Sequence, residues 1–182
     1  PRIGDVTRLD AERLLALRPD LVLAWGDGSP KEQLALVRRL GLPVLEMQQH
    51  SLEDVPASIE QLGRLFGTEP TAVRAANALR AELAALRARH AGAKRIRVFY
   101  QVWGQPLYTL GGGHVVTEML RVCGAENVFA DQRASGFAVD EEAVYARDPD
   151  AIVLAGIPRE TRAWRERWQR APRLRAVETR AI

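Results

Sequence analysis

The amino-acid sequence predicts an α/β protein of two related lobes joined by a long rigid helix. One observation is an internal repeat: residues 9–26 (LDAERLLALRPDLVLAWG) and 139–156 (VDEEAVYARDPDAIVLAG) align without a gap. They share Asp10/Asp140, Glu12/Glu142, Ala16/Ala146, Pro19/Pro149, Asp20/Asp150 and Gly26/Gly156. Each copy passes from a polar start through a short apolar-periodic helix and a Pro-Asp break into an apolar run, the pattern of a helix feeding a buried strand. A second observation is the strand–helix–strand order that comes after the first copy. A third is an uninterrupted helical pattern over about residues 70–90, where a Gly/Ser-rich stretch would have meant a flexible linker.

Taken in order, the first repeat predicts a helix and then a strand ending at Trp25. Over residues 31–40 the apolar positions Leu34, Val37 and Leu40 predict an amphipathic helix closed by Gly41. Residues 43–47 read as the next strand, and strand–helix–strand favours a parallel pair with a right-handed crossover. Helices follow over about 52–66 and 70–90, the second with Pro70 suited to its first turn. In it Ala72, Val73, Ala76, Leu79, Leu83 and Leu86 recur at steps of three and four, while Arg74, Arg80, Glu82, Arg87 and Arg89 take other faces. Such a helix has one stripe to pack and makes a stiff strut.

Residues 95–103 are rich in branched and aromatic side chains and read as a strand. A loop over 104–110 then leads to the triplet Gly111-Gly112-Gly113 and a helix over 114–123. After residues 126–129 and the second repeat comes a basic helix over 159–170, with Trp164 and Trp168 on one face, expected to pack on the core. The division is a partial N-terminal lobe (1–68), a connecting helix (69–93) and a partial C-terminal lobe (94–182). Residues 1–6 are too short for the strand expected before the first helix, and the chain stops at Ile182 in what resembles a strand start, so both ends read as truncated.

Composition excludes several classes of function. Twenty-six Lys and Arg against 23 Asp and Glu leave a net charge of +3. The arginines alternate with acids along helices, which predicts solvated faces and no nucleic-acid partner. No apolar stretch approaches the ~20 residues of a membrane span. Pro1 stands where an initiator Met would, so the start is expected to have been removed, either by processing or by the choice of the segment's boundaries. Cys123 sits in the apolar run 119–123 and is expected as a buried free thiol. His50, His90 and His114 are dispersed without a second ligand at metal-binding spacing, so no protein-bound metal is expected. Ser51, Ser58 and Ser135 lack a glycine elbow, and no nucleophile–base pair predicts catalysis. The glycine triplet before a helix could cradle an anion. A phosphate loop wants Lys-Ser or Lys-Thr next, however, and His114-Val115 supplies neither. A tight turn that lets the backbone approach a ligand or the other lobe is the favoured reading.

Residues 98–131 (VFYQVWGQPLYTLGGGHVVTEMLRVCGAENVFAD), with residues 10–25 (DAERLLALRPDLVLAW), resemble the periplasmic cobalamin (vitamin B12) binding proteins, the substrate-binding components of ABC importers. The resemblance implies the class III periplasmic binding protein fold: two Rossmann-like lobes, a rigid connecting helix, and a ligand in the cleft. It also implies a periplasmic monomer whose signal peptide is removed, which docks on permease subunits and carries cobalamin as transported ligand, with no covalently bound cofactor.

A corrinoid presents broad apolar faces rimmed with amides, so its site needs flat side chains and scattered donors more than charge. Trp25 ends the first-lobe strand, and Trp103 and Tyr108 lie in the loop of the second lobe. Trp25 and Tyr108 match positions where the family places ligand-contacting aromatics; the alternative for Trp25 is a ring that caps the core. Gly111, Gly112 and Phe137 complete the expected ligand-binding set. Val6 and Gly136 stand where some relatives carry further cleft tryptophans, and a segment that contributes a ligand-facing tyrosine is absent.

Glu12 and Glu142 occupy equivalent helix starts, where the macrodipole favours a carboxylate; as a pair they match the glutamates that meet permease arginines in the family. In relatives Cys123 can pair with a cysteine of a C-terminal helix that this chain lacks. The rival readings are an iron-siderophore or haem binding protein of the same fold, a corrinoid- or nucleotide-handling enzyme, and an interaction module with a degenerate cleft. Against the enzyme stands the lack of convergent titratable residues near these loops.

Overall fold

The computed structural model describes residues 2–5, 8–26, 28–171 and 173–182. The chain forms two compact units, Pro1–Gln49 and His50–Ile182. In the first, Asp10 caps helix α1 (Ala11–Ala16), its Oδ1 accepting from the Arg13 N–H at 3.0 Å. Leu14 is buried beneath it. The chain leaves α1 through Arg18 in the left-handed region and enters β1 (Val22–Trp25). Helix α2 (Lys31–Arg39) buries Leu34 and Val37 and carries the chain to β2 (Val44–Met47). β1 and β2 pair in parallel from Val22↔Val44 to Trp25↔Met47, as the strand–helix–strand pattern predicts.

The second unit opens with α3 (Asp54–Leu65) against α4 (Glu69–His90). Arg80 of α4 reaches Glu53 at 2.7 Å and Glu60 at 2.5 Å. α4 buries Ala72, Ala76 and Leu83 and half-buries Leu79 and Leu86. Val73, expected in that stripe, is instead exposed. It lies about 100° around the helix from Ala72, outside the strip that the later leucines define. Helix α5 (Val115–Val122) completes a small core of Leu52, Leu83 and Val122. Its Glu118 takes the Leu52 N–H at 2.6 Å and the Arg87 guanidinium at 3.1 Å.

The central strand is β3 (Ile96–Trp103). Its C-terminal end pairs antiparallel with β4 (Tyr108–Leu110), and its N-terminal end parallel with β5 (Ala125–Asn127). β6 (Gly136–Ala138) pairs antiparallel with β4, while β7 (Ala151–Leu154) runs parallel to β3. Gln101 faces both Thr109 and Leu154, so β4 and β7 lie on opposite edges of β3. β4 corrects the expected loop over 104–110. Thr109 is fully buried and its hydroxyl donates to the Tyr100 carbonyl at 2.8 Å, so only residues 104–107 turn the hairpin.

The main core lies on one face of this sheet. Phe99 meets Phe129 and Trp168 edge to face, with centroids at 5.9 and 5.7 Å. Around them pack Val144 of α6 (Glu141–Arg147), Trp168 of α7 (Pro158–Gln169) and Ala176 of α8 (Arg175–Glu178). The Trp168 indole N–H donates to Gln101 Oε1 at 2.7 Å, so neither buried polar group is left unpaired. Cys123, expected to be buried, is exposed. It is the residue that ends α5, and its neighbour Val122 takes the inward position.

Candidate functional site

Two aromatic residues of the second unit, Trp103 and Tyr108, come together at the end of β3. Gln101 faces Thr109, but the next pair along the ladder is Trp103 with Tyr108, so Val102 is an extra residue on β3. Side chains alternate along a strand, and a one-residue slip therefore re-aims the residues beyond it. Trp103 would otherwise share Gln101's inward face; the shift sets it beside Tyr108 on the other face. Its ring is 54% exposed, and its indole N–H donates to the Gln105 carbonyl at 3.0 Å, which fixes the ring's orientation. Tyr108 is half-buried, opposite Ala138, with its ring edge over Gly136, where an added Cβ would sit 2.9 Å from Cε1.

Phe137 does not join them. It pairs with the buried Thr109, one position along from Tyr108, and its ring packs 5.7 Å from Phe129 as part of the core.

The glycine triplet forms a seam of backbone on backbone. The Gly111 and Gly112 N–H groups donate to the Ser135 and Gln132 carbonyls at 3.2 and 2.6 Å. A Cβ at Gly111 or Gly112 would come within 2.2 Å of the Ala134 or Ala130 oxygen. These amides are committed to the chain, which supports the tight turn over an anion cradle. Beneath the turn, Thr117 donates to the Gly111 carbonyl at 2.7 Å, and Asn127 donates to Leu110 and to Thr117 at 2.8 Å each, all buried.

In the first unit Trp25 ends β1 with its indole 60% exposed, so the ring does not cap that unit's core. The adjoining turn closes through the Ser29 N–H to the Trp25 carbonyl at 2.8 Å, and Gly28 rests on the ring face. Asp27 of that turn, and Val6, lie outside the described residues.

Glu12 and Glu142 are each the residue two after a capping aspartate, and both are exposed. Asp140 caps α6 as Asp10 caps α1, accepting from the Ala143 N–H at 2.8 Å.

Trp164, expected in the core beside Trp168, is only half-buried. Its indole lies against Gly104 after β3 and Gly156 after β7, where an added Cβ would stand 2.3 and 2.9 Å from ring atoms. Those two glycines at strand ends were the only sequence signal of this placement.

The lowered carboxyls of Glu60 and Asp131 belong to ion pairs with arginine, whereas burial raises the Tyr145 phenol. Arg147 bridges both Asp131 oxygens at 2.9 Å and stacks over Phe129 at 4.5 Å, and it holds the Asp131 carboxyl below the usual range. Among the described residues, no three His, Cys, Asp or Glu side chains are grouped to hold a metal ion, and no helix is long and apolar enough to cross a membrane.

A family model described as "Periplasmic binding protein" matches residues 1–180. The chain is 35% identical over 165 residues to the vitamin B12-binding protein of Pectobacterium carotovorum, covering 88% of this chain and 59% of that protein. With the vitamin B12-binding protein of Salmonella typhimurium the identity is 39% over 148 residues, covering 81% and 56%. The chain thus spans under two thirds of the length of these curated relatives. Among solved structures it matches the periplasmic vitamin B12 binding protein BtuF of Vibrio cholerae with a TM-score of 0.80 at 30% identity, over 100% of this chain and 70% of that one. The periplasmic heme-binding protein RhuT from Roseiflexus sp. RS-1 gives a TM-score of 0.85 at 25% identity, over 100% and 72%.

Proposed function

We propose, since this chain belongs to the periplasmic binding protein family, that it captures a cobalamin in the periplasm and delivers it to the permease of an ABC importer. The observation that carries this reading is the pair Trp103 and Tyr108, set side by side on one sheet face by a shift in strand register, the first ring exposed and the second half-buried. Flat rings at a strand end suit a corrinoid, whose faces are broad and apolar. Curated relatives named vitamin B12-binding protein, at 33 to 39% identity, point the same way. The first unit carries an exposed indole of its own, Trp25. An aromatic side chain buries about 150–250 Å² when covered, worth several kcal/mol gross at ~25 cal/mol per Å². Much of that is offset by the cost of association.

In this reading the protein performs no chemistry on its ligand and holds no covalent cofactor. The exposed pair Glu12 and Glu142, presented identically by two capped helices, orients it on the permease, a role suited to charges that steer encounter more than they add affinity.

The test is a titration of the full chain with cyanocobalamin, haem and a ferric siderophore, tracked by ligand absorbance and tryptophan fluorescence. Saturable quenching by cyanocobalamin, uncompeted by the other two, is the expected result. No saturable cyanocobalamin binding sinks the proposal. Haem is the second reading, favoured by the 0.85 TM-score with a haem-binding protein and by a half-buried phenol at Tyr108, a side-chain type able to ligate haem iron. A haem absorbance shift abolished by Tyr108→Phe would establish it.

A further inference from the structure

We propose that Trp164 and Trp103 form an aromatic groove that holds the planar heterocyclic base of the corrinoid's nucleotide appendage, and that Trp164 thereby sets a preference for complete cobalamin over a base-free corrinoid. The inference rests on the cobalamin reading above and adds a ligand-positioning residue to it.

The groove has a volume of about 420 Å³ and is lined by Trp103, Gly104, Gln105, Glu160, Trp164 and Arg167. It lies beyond the carboxyl ends of β3 and β7, the edge at which open α/β sheets bind ligands. Its second wall is held from behind. Trp168, one turn along α7, is locked in the core by Gln101, so Trp164 is held on the same helix face in the middle of α7. The loops leaving the two strands yield to the indole: glycine stands at both points of contact, and an added Cβ would come within 2.3 Å of the ring at Gly104 and 2.9 Å at Gly156.

Size and charge decide the occupant. Small-molecule sites run from ~300 to ~1,000 Å³, so this groove is near the lower bound. It has room for a bicyclic ring and none for a corrin macrocycle with its amide arms. Arg167 and Glu160 place opposite charges on the rim, and the Arg167 Nε is already paired with Glu141 at 2.5 Å. A rim without net charge does not select an ion; two indoles select a flat neutral face. Trp103 at 54% and Ile157 at 58% exposure leave apolar surface beside the groove for an attached, larger ligand to cover. Trp103 belongs to both surfaces, which makes the groove continuous with the candidate corrin site.

The experiment compares cyanocobalamin with dicyanocobinamide, the same corrin without the nucleotide, by calorimetry on the full chain and on Trp164→Ala, Trp164→Phe and Gly104→Ala. Stacking of a base on an aromatic ring is worth roughly 1–3 kcal/mol, so Trp164→Ala is expected to weaken cyanocobalamin about tenfold or more and to leave cobinamide within about twofold. Trp164→Phe, which keeps a flat ring, retains most of the preference, and Gly104→Ala, which displaces the indole, lowers it. Equal losses for both ligands, or no loss for either, in a variant whose melting shows it folded, overturn the groove assignment and leave the cobalamin reading standing. Should Trp164→Ala fail to fold, Trp164→Phe and Gly104→Ala decide by the same ratio. A wild-type chain that binds neither corrinoid overturns both.

Discussion

Arg18 and Asp148, 130 positions apart, both hold the left-handed backbone, at φ 47° and 38°. Each lies just after its repeat's helix, Asp148 as the cap and Arg18 one residue past the cap, and precedes the Pro-Asp pair that leads into β1 or β7. The two side chains have nothing in common, so the duplication reaches into a backbone conformation that alignment of the residues does not show. Left-handed backbone costs a non-glycine residue roughly 1–2 kcal/mol. Asp148 recovers some of this, because its Oδ1 takes the Arg175 N–H at 3.0 Å and its carbonyl takes the Arg97 guanidinium at 3.2 Å.

Arg18→Gly and Asp148→Gly should therefore move stability in opposite directions. Both relieve the backbone, but only the second removes a side-chain acceptor. Denaturant unfolding is expected to show Arg18→Gly more stable by up to about 1 kcal/mol and Asp148→Gly less stable. A loss of stability in Arg18→Gly would show that the helix exit is not strained.

Trp25→Ala and Trp103→Ala should separate binding from folding. Both rings are more than half exposed, so each truncation should cost less than about 1 kcal/mol of stability. Cyanocobalamin affinity should fall about tenfold or more, as at binding hot spots. Phe137→Ala, whose ring packs on Phe129, should lower the melting temperature markedly. The paired readout is the melting curve and the dissociation constant for each variant.

Replacing Glu12 and Glu142 together by Ala should leave cyanocobalamin affinity unchanged while impairing uptake in cells that depend on this protein. Each single change should impair it less. Lost ligand affinity in the double variant would move these carboxylates from docking to the binding site.

Gly112→Ala should destabilise the second unit by about 1–3 kcal/mol, since its Cβ would stand 2.2 Å from the Ala130 oxygen and must push backbone apart. Chemical denaturation reads this directly, and an unchanged midpoint would mean that the 130–135 segment yields freely.

Asp150 predicts an acid-sensitive contribution. The Arg97 N–H at 2.9 Å, and then the Arg175 guanidinium at 2.9 Å, hold its carboxyl below the usual range. A depressed folded-state value means that this stabilisation is complete above the unfolded-state value, near pH ~4. It is lost as pH falls below that through the folded value. Asp150→Asn should thus be less stable than wild type at neutral pH, with the gap in melting temperature closing on acidification below pH ~4. A gap that stays constant with pH would assign the loss to packing.

Several things were legible in the sequence because they depend on local pattern. The α/β class is borne out by the family match and by the fold of the vitamin B12 and haem binding relatives. The paired helix starts could be read because Asp caps and helical periodicity act over a few residues, and the parallel β1–β2 pair because a strand–helix–strand order leaves little choice. Tertiary structure alone decided the rest. The shift at Val102 that brings Trp103 beside Tyr108 depends on which strand pairs with β3, and the same side-chain alternation sends Phe137 into the core. Cys123 faces out because Val122 won the inward position. Trp164 leaves the core because two distant glycines open a place for its ring. A sequence specifies which side chains want burial, but where an exposed ring points is set by register and by neighbours remote along the chain, which local periodicity does not encode.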